Sequence, residues 1–175
     1  LAAAGVPDPG EAELRRLLGE GRARAFASPG FLAAGAVARD GAASVRAAMA
    51  TREAVDGGSG EVVREVTDVV GAVAVAAAAF ARRHAGAEPL PPDAASDQAT
   101  DLLRMATGAA PAKAAAEALG GYLVTVSDHG MNASTFTARV VASTGSDLVS
   151  AIVAAIGALK GPLHGGAPGP VLDML

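Results

Sequence analysis

The sequence predicts an all-α protein made of several helices joined by short connections. Hydrophobic residues make up 51% of the 175 positions but aromatic residues only 3%, so the core must consist largely of Ala, Val and Leu. Alanine is the best helix former. No stretch of useful length alternates apolar and polar residues with the period of a strand. A chain of this length can bury roughly 70% of its unfolded surface, which is enough for one folded unit.

Four elements are predicted in the first half of the chain. A short helix from Glu11 to Leu18 has acidic residues in its first turn, where they complement the helix dipole. Ser28-Pro29-Gly30 predicts a turn. The residues from Ala42 to Val55 show apolar positions at helical spacing and end at a glycine cluster. A long helix follows from Glu61 to Arg83, with His84 at its C-terminal end, a position typical of a cation that satisfies the last carbonyls.

A proline-rich connector separates two parts of the chain. The segment from Glu88 to Asp93 (EPLPPD) predicts a rigid, extended linker. We therefore divide the chain into an N-terminal helical part with its linker, 1–92, and a helical core, 93–175. Further helices are predicted at Asp93–Thr107, Pro111–Ser127, Asn132–Ser143 and Asp147–Leu159, and another could begin at Gly165.

Charge and cysteine usage exclude several functional classes. The net charge of −4 argues against nucleic-acid binding, which normally uses a basic surface. Because the chain has no cysteine, a disulfide framework, a thiolate nucleophile and a cysteine-bound metal are excluded. The longest apolar run, Val69 to Phe80, is shorter than the about 20 residues of a membrane span, and Leu1 to Val6 lack the basic start of a signal peptide. We therefore predict a cytoplasmic protein without a membrane partner.

One histidine lies in a glycine-rich turn, Gly161–Ala167 (GPLHGGA). Pro162 ends the preceding helix, and Gly165 and Gly166 permit backbone geometries that other residues avoid, so a small carbonyl compound could approach closely. Near a helix N-terminus His164 would be kept neutral by the dipole. A neutral imidazole can donate a hydrogen bond to a developing enolate oxygen. The alternative is a histidine that only caps a tight turn.

A second histidine, His129, precedes the helix predicted from Asn132. In one interpretation the helix N-terminus is an anion site where His129 binds a substrate carboxylate. In the other, Asp128 or Asn132 caps the helix and His129 is a partly exposed first-turn residue. Ser134 would lie on the same helix, either to orient a neighbouring imidazole by hydrogen bonding or as a small polar residue that packs well.

Two segments, taken together, identify a family. They are Ser127–Arg139 (SDHGMNASTFTAR) and Ala154–Ala167 (AAIGALKGPLHGGA), and the match includes the spacing between the two histidines. The sequence resembles the bacterial short-form citrate synthases and the related 2-methylcitrate synthases. The resemblance is strongest from about Leu119 to Leu175, weaker at Ala99–Gly108 (ATDLLRMATG), and limited to helical pattern and linker placement in the first 90 residues.

The resemblance implies a fold, a reaction and residue roles. The family is all-α with a large and a small domain, and this chain corresponds to the large domain without most of the small one. The enzymes of the family condense the co-substrate acetyl-CoA with oxaloacetate. We therefore expect no permanently bound cofactor or metal. By position, the resemblance makes His164 the catalytic histidine that donates a hydrogen bond to the acetyl-CoA carbonyl. It places His129, Asn132 and Ser134 in the substrate site. A homodimer is expected through the alanine-rich helices at 111–127 and 132–143.

The sequence also departs from the family pattern. Gly130 stands where the family usually has Glu, and Pro168 where Asn is common. No aspartate can be assigned as the general base, since Asp173 is too close to His164 in sequence. The chain looks cut at both ends, and three interpretations stay open. It is a fragment, a split enzyme whose partner chain supplies the C-terminal half, or a non-catalytic helical dimer module. Propionyl-CoA is an alternative acyl donor.

Overall fold

The computed structural model describes residues 8–53, 59–128, 130–165 and 174, and within these residues the protein is entirely helical. The eight helices are α1 (Gly10–Ala27), α2 (Pro29–Ala36), α3 (Gly41–Met49), α4 (Ser59–His84), α5 (Gln98–Thr107), α6 (Lys113–Val126), α7 (Ala133–Ala142) and α8 (Leu148–Leu159). The prediction of an all-α, multi-helix fold is therefore confirmed. No helix in the described ranges is both long and apolar enough to cross a membrane.

The long helix α4 is the centre of the fold. It packs against α1, α5, α3, α2 and α8, while α8 also packs against α3 and α7. The core that these helices share consists mainly of small and unbranched side chains, as the scarcity of aromatic residues predicts. Its buried members are Ala25, Phe31, Ala48, Met49, Val69, Ala72, Val75, Ala76, Ala78, Met105 and Ile156.

Among the residues that the structure describes, four helices begin at an Asp or Asn whose side chain caps the first turn. Asp40 caps α3, Asp97 caps α5, Asn132 caps α7 and Asp147 caps α8. In each case the side-chain oxygen accepts a hydrogen bond of 2.8–2.9 Å from the backbone N–H three residues later. Such caps satisfy N–H groups that have no partner within the helix, so they fix where each helix begins.

The predicted end of the first helix is wrong. We expected it to stop at Leu18, but α1 continues to Ala27. Gly19, Gly21 and Arg22 are buried, and α1 packs extensively against α4. Tertiary packing here overrides the weak helix propensity of glycine.

Ser28-Pro29-Gly30 is also more than a turn. Ser28 adopts an extended backbone, and Pro29 is the first residue of α2. Proline is favoured at this position because its missing N–H would have no partner there and its fixed φ suits a helix. The helix that follows buries Phe31 in the core, so the proline begins an element that the prediction missed.

Three further boundaries differ from the prediction. The helix expected at 42–55 ends at Met49, because Thr51 bonds back to the Ala48 carbonyl through its N–H and its hydroxyl. The helix expected from Asp93 begins at Gln98, after the cap Asp97. The helix expected from Pro111 begins at Lys113. The helix that could begin at Gly165 would lie mostly outside the described residues.

A buried arginine joins α1 to the start of α5. The Arg22 side chain is fully buried, and its Nε donates to Asp101 Oδ2 at 2.7 Å. Its remaining nitrogens donate to the carbonyls of Asp93 and Ser96 and to the Gln98 side chain. Removing one partner of such a pair leaves a buried charge without compensation.

We therefore expect Asp101→Ala to lower the free energy of unfolding by about 3–5 kcal/mol. Urea denaturation followed by circular dichroism measures this change. The matched control is Arg16→Gln, which breaks an exposed ion pair with Glu13 and should leave the urea midpoint unchanged, since exposed pairs contribute little. Equal midpoints for Asp101→Ala and the unmodified chain would show that the buried pair does not stabilise the fold.

Candidate functional site

A cleft of about 850 Å³ lies where the beginnings of α3 and α7 meet the end of α8 and one side of α6. Its lining combines apolar side chains with hydrogen-bonding groups, as expected of a site for a small polar ligand. The lining residues are Asp40, Gly41, Ala42, Tyr122, Val126, Asn132, Ser134, Leu159, Lys160, His164 and Gly165. Three of the four predicted site residues, His164, Asn132 and Ser134, are therefore in one cleft.

The turn that carries His164 folds back onto the end of α8. The His164 N–H donates to the Gly161 carbonyl at 2.9 Å, and the Gly165 N–H donates to the Leu159 carbonyl at 2.8 Å. A Cβ on Gly165 would lie 2.2 Å from the Leu159 oxygen, closer than two such atoms can approach. Only glycine fits there, so the glycine after His164 is required by the turn itself.

His164 meets the beginning of α7 through Ser134. The His164 Nε2 is 3.0 Å from Ser134 Oγ. The Ser134 hydroxyl donates to Asn132 Oδ1 at 2.8 Å, and the same oxygen accepts the Thr135 N–H. A chain of hydrogen bonds thus runs from the cap of α7 to the imidazole. It joins the segment Ser127–Arg139 to the segment Ala154–Ala167.

The cleft also contains an ion pair that sequence reasoning missed. Lys160 Nζ lies 3.4 Å from Asp40 Oδ2. The backbone N–H of Ala43 lowers the pKa of the Asp40 carboxyl from its usual range, and Lys160 lowers it further. Asp40 therefore stays ionised at neutral pH. No local signal could have linked residues so far apart in the sequence.

Two helix N-termini open into the cleft. Gly41 and Ala42 at the start of α3, and Asn132 and Ser134 at the start of α7, line it. The helix dipole favours negative charge at such ends, and at α3 the capping Asp40 carboxylate already supplies it. The α7 end is capped by a neutral side chain, and with the half-buried His164 imidazole beside it this end suits a ligand that combines a carbonyl with negative charge.

His129 lies outside the described residues, as do Pro168 and Asp173. Its neighbour Gly130 has φ of +78°, a conformation that side chains other than glycine rarely adopt. The Glu that the family usually has at this position would be strained in this backbone conformation. The departure at Gly130 is therefore matched to the local geometry of the chain.

The family is decided by a comparison with protein-family models. The model described as "Citrate synthase, C-terminal domain" matches residues 11–175, which is nearly the whole chain. The chain belongs to the citrate synthase family.

Curated citrate synthases and a 2-methylcitrate synthase are among its relatives. The chain is 49% identical over 98 residues to citrate synthase 2 of Bacillus subtilis, covering 56% of this chain and 26% of the relative. It is 46% identical over 95 residues to the 2-methylcitrate synthase of Mycobacterium tuberculosis, covering 54% and 24%. The matched segments thus span about a quarter of the length of these relatives.

Solved citrate synthases share the fold. The enzyme from Pyrobaculum aerophilum superposes with a TM-score of 0.81 at 28% identity, covering 93% of this chain and 44% of that one. A ternary complex of the Thermoplasma acidophilum citrate synthase with carboxymethyl coenzyme A and oxaloacetate gives 0.76 at 29% identity, covering 91% and 44%. The chain therefore has the helical citrate synthase fold over somewhat less than half of the length of those enzymes.

The clash at Gly165 leads to a prediction about the turn. Gly165→Ala should lower the free energy of unfolding by about 1–3 kcal/mol, because the Leu159 carbonyl must move to admit the methyl group. Gly157→Ala is the matched control. It lies within α8, no atom lies within 4 Å of its added Cβ, and alanine is the better helix former by about 1 kcal/mol. Thermal unfolding of both variants tests this, and an unchanged or raised Tm for Gly165→Ala would contradict it.

Proposed function

We propose that this chain carries the enol-stabilising part of a citrate synthase active site, acting in the cytoplasm on acetyl-CoA and oxaloacetate. The observation that carries the proposal is the contact of 3.0 Å between His164 Nε2 and Ser134 Oγ, made within a family-matched chain. It holds an imidazole at the edge of a cleft large enough for a small ligand. A histidine that merely capped its own turn would not need a partner from α7.

In the proposed reaction a general base takes a proton from the methyl group of acetyl-CoA. His164 donates a hydrogen bond to the thioester oxygen, where negative charge develops as the enol forms. The enol carbon then bonds to the keto carbon of oxaloacetate, whose oxygen takes up a proton. Water cleaves the citryl thioester to give citrate and CoA.

The cleft's own carboxylate is a poor candidate for the base. Asp40 caps α3 and pairs with Lys160, and both contacts stabilise its ionised form and hold its pKa low. Base catalysis favours a group whose pKa lies near the working pH. We therefore assign no base within the described residues and expect a further segment of the enzyme or a partner chain to supply it.

The proposed second substrate is a dicarboxylate held near the start of α7. The dipole at the N-terminus of α7 favours an anion there, Asn132 lines the cleft at this end, and His129 precedes it in the sequence. The Thermoplasma acidophilum relative is described with oxaloacetate and a CoA analogue, which supports this choice. Propionyl-CoA is the alternative donor, because a 2-methylcitrate synthase is among the relatives.

A homodimer is proposed through α6 and α7. Neither helix buries a residue, and their apolar side chains point outward, with Val124 75% and Phe136 61% exposed. Exposed large apolar side chains grouped on a helix mark an interaction site. We propose a second copy of the chain as the occupant, since alanine-rich helices permit the close approach of two identical surfaces.

A non-catalytic module is the second candidate, favoured by Gly130 at the position of the family's usual Glu. Calorimetry distinguishes it without turnover. Submillimolar binding of oxaloacetate to the chain alone supports the substrate site, while no binding by a folded chain, alone or joined to the remaining length of a relative, supports a purely structural role.

The test of the reaction uses His164→Ala. The chain, joined to the remaining C-terminal length of a related citrate synthase, should release CoA from acetyl-CoA only when oxaloacetate is present. Loss of one such donor typically lowers kcat by about 100- to 1,000-fold, and we expect a decrease of that size. Propionyl-CoA assayed in parallel decides the acyl donor.

His84→Ala is the control for this test. His84 ends α4 and stacks on Phe80, and it does not line the cleft, so its removal should leave the rate of CoA release unchanged. A full rate in His164→Ala would refute the assigned role. An inactive joined protein that is folded but binds no oxaloacetate would favour the non-catalytic module.

The dimer is tested by placing charge on the exposed helices. The double variant Val124→Glu with Phe136→Glu should be monomeric in sedimentation velocity, because carboxylates buried in an apolar interface lose their hydration. Val37→Glu, at an exposed apolar position after α2, should stay dimeric. A monomeric unmodified chain, or a double variant that still dimerises, would place the interface elsewhere or exclude it.

A further inference from the structure

The Ser134 hydroxyl lies between two hydrogen-bonding partners. Its Oγ is 2.8 Å from Asn132 Oδ1 and 3.0 Å from His164 Nε2. A hydroxyl has one hydrogen to donate and two lone pairs with which to accept. The chemistry of the two neighbouring atoms therefore decides which contact receives the hydroxyl hydrogen.

The orientation of the Asn132 side chain follows from the helix that it caps. The atom that faces the Thr135 backbone N–H, at 2.8 Å, must be the amide oxygen, because an amide nitrogen would present a second donor there. That oxygen is also the atom in contact with Ser134. Since an amide oxygen only accepts, the Ser134 hydroxyl donates to Asn132.

This assignment determines which ring nitrogen of His164 carries hydrogen. With its own hydrogen directed to Asn132, Ser134 Oγ meets the ring with a lone pair. Nε2 must then carry a hydrogen and donate it to Oγ. A neutral imidazole has hydrogen on only one nitrogen, so Nδ1 is left as an acceptor.

We propose that Asn132 is a positioning residue that holds the neutral His164 ring in its Nε2–H tautomer through the Ser134 hydroxyl. The catalytic meaning of this assignment rests on the function proposed above. In the Nε2–H tautomer Nδ1 cannot donate a hydrogen bond to a carbonyl oxygen in the cleft. If the hydroxyl turns from Asn132 to Nε2, the hydrogen belongs on Nδ1 and that nitrogen becomes the donor.

Asn132 and the substrate therefore compete through a single hydroxyl hydrogen. The bond from Ser134 to Asn132 stabilises the resting tautomer, and a ligand carbonyl at Nδ1 would stabilise the other. Asn132 thus sets the equilibrium between a resting ring and a donor ring, beyond its role as a helix cap. Substitution there should change the tautomer ratio even when no substrate is present.

Long-range proton–nitrogen NMR of the ¹⁵N-labelled chain measures that ratio directly. Spectra are recorded about two pH units above the usual histidine pKa of roughly 6.5, and the His164 signals are identified by their loss in His164→Gln. We expect the Nε2–H tautomer in the unmodified chain. In Asn132→Gly the ratio should move about fivefold toward Nδ1–H, the change that loss of one net hydrogen bond produces.

Two controls separate tautomer control from helix capping. The test variant Asn132→Gly itself loses little stability, because glycine is tolerated at a helix cap. The first control, Asn132→Asp, retains a side-chain oxygen that accepts from both Thr135 and Ser134, so it should retain the Nε2–H tautomer. The second control, Asp97→Gly, removes a comparable cap from α5, where Asp97 accepts from the Thr100 N–H and hydroxyl. It should leave the His164 signals unchanged.

Ser134→Ala gives a second readout if Asn132→Gly does not fold. The cap of α7 remains in this variant, but the Nε2–H hydrogen loses its acceptor, so its protection from exchange with water should be lost. An Nδ1–H tautomer in the unmodified chain, or an unchanged tautomer ratio in Asn132→Gly, would overturn the proposal. No substrate is used, so these outcomes are independent of whether the joined enzyme turns over.

Discussion

A guanidinium with no solvent exposure must find every hydrogen-bond partner inside the protein, and Arg22 finds them in the segment that leads into α5. Its contacts with the Asp93 and Ser96 carbonyls hold that connection in a single shape, while Asp101 balances the charge. Asp101 is itself held by Arg104 and by the Asp93 N–H. The path of the chain between α4 and α5, and hence the placing of α5 against α1 and α4, follows from this one buried group.

The cleft depends on a different kind of restraint. Its polar groups come from the ends of helices, where side-chain caps and turns hold the backbone in place. Asn132 begins α7, Asp40 begins α3, and His164 follows the end of α8. Because α8 packs against both α3 and α7, the packing of the three helices brings these ends together. The cleft's polar groups lie at the helix ends, and the middle of each helix serves only for packing.

The parts that local chemistry specifies could be predicted from the sequence. The helix at 148–159 was predicted within one residue, since its cap Asp147 and the Gly161-Pro162 stop are neighbours in sequence. By contrast, α2 was missed, and neither Arg22 nor the pair of Asp40 and Lys160 was anticipated. These features depend on partners distant in the chain, for which a single sequence gives no signal. A hydrogen bond from Ser134 to a neighbouring imidazole was one of two interpretations of the local sequence, and the resemblance to a known family pointed to His164 as that imidazole.

The helix α6 has a consequence for how this protein responds to its own concentration. Among the described helices it packs against α5 alone and buries no side chain, so its local stability is low. Yet Tyr122 and Val126 on this helix form one wall of the cleft. If a second copy of the chain stabilises α6, then association and the shape of the ligand site are thermodynamically linked. Dilution would then weaken ligand affinity without any change in the groups that touch the ligand.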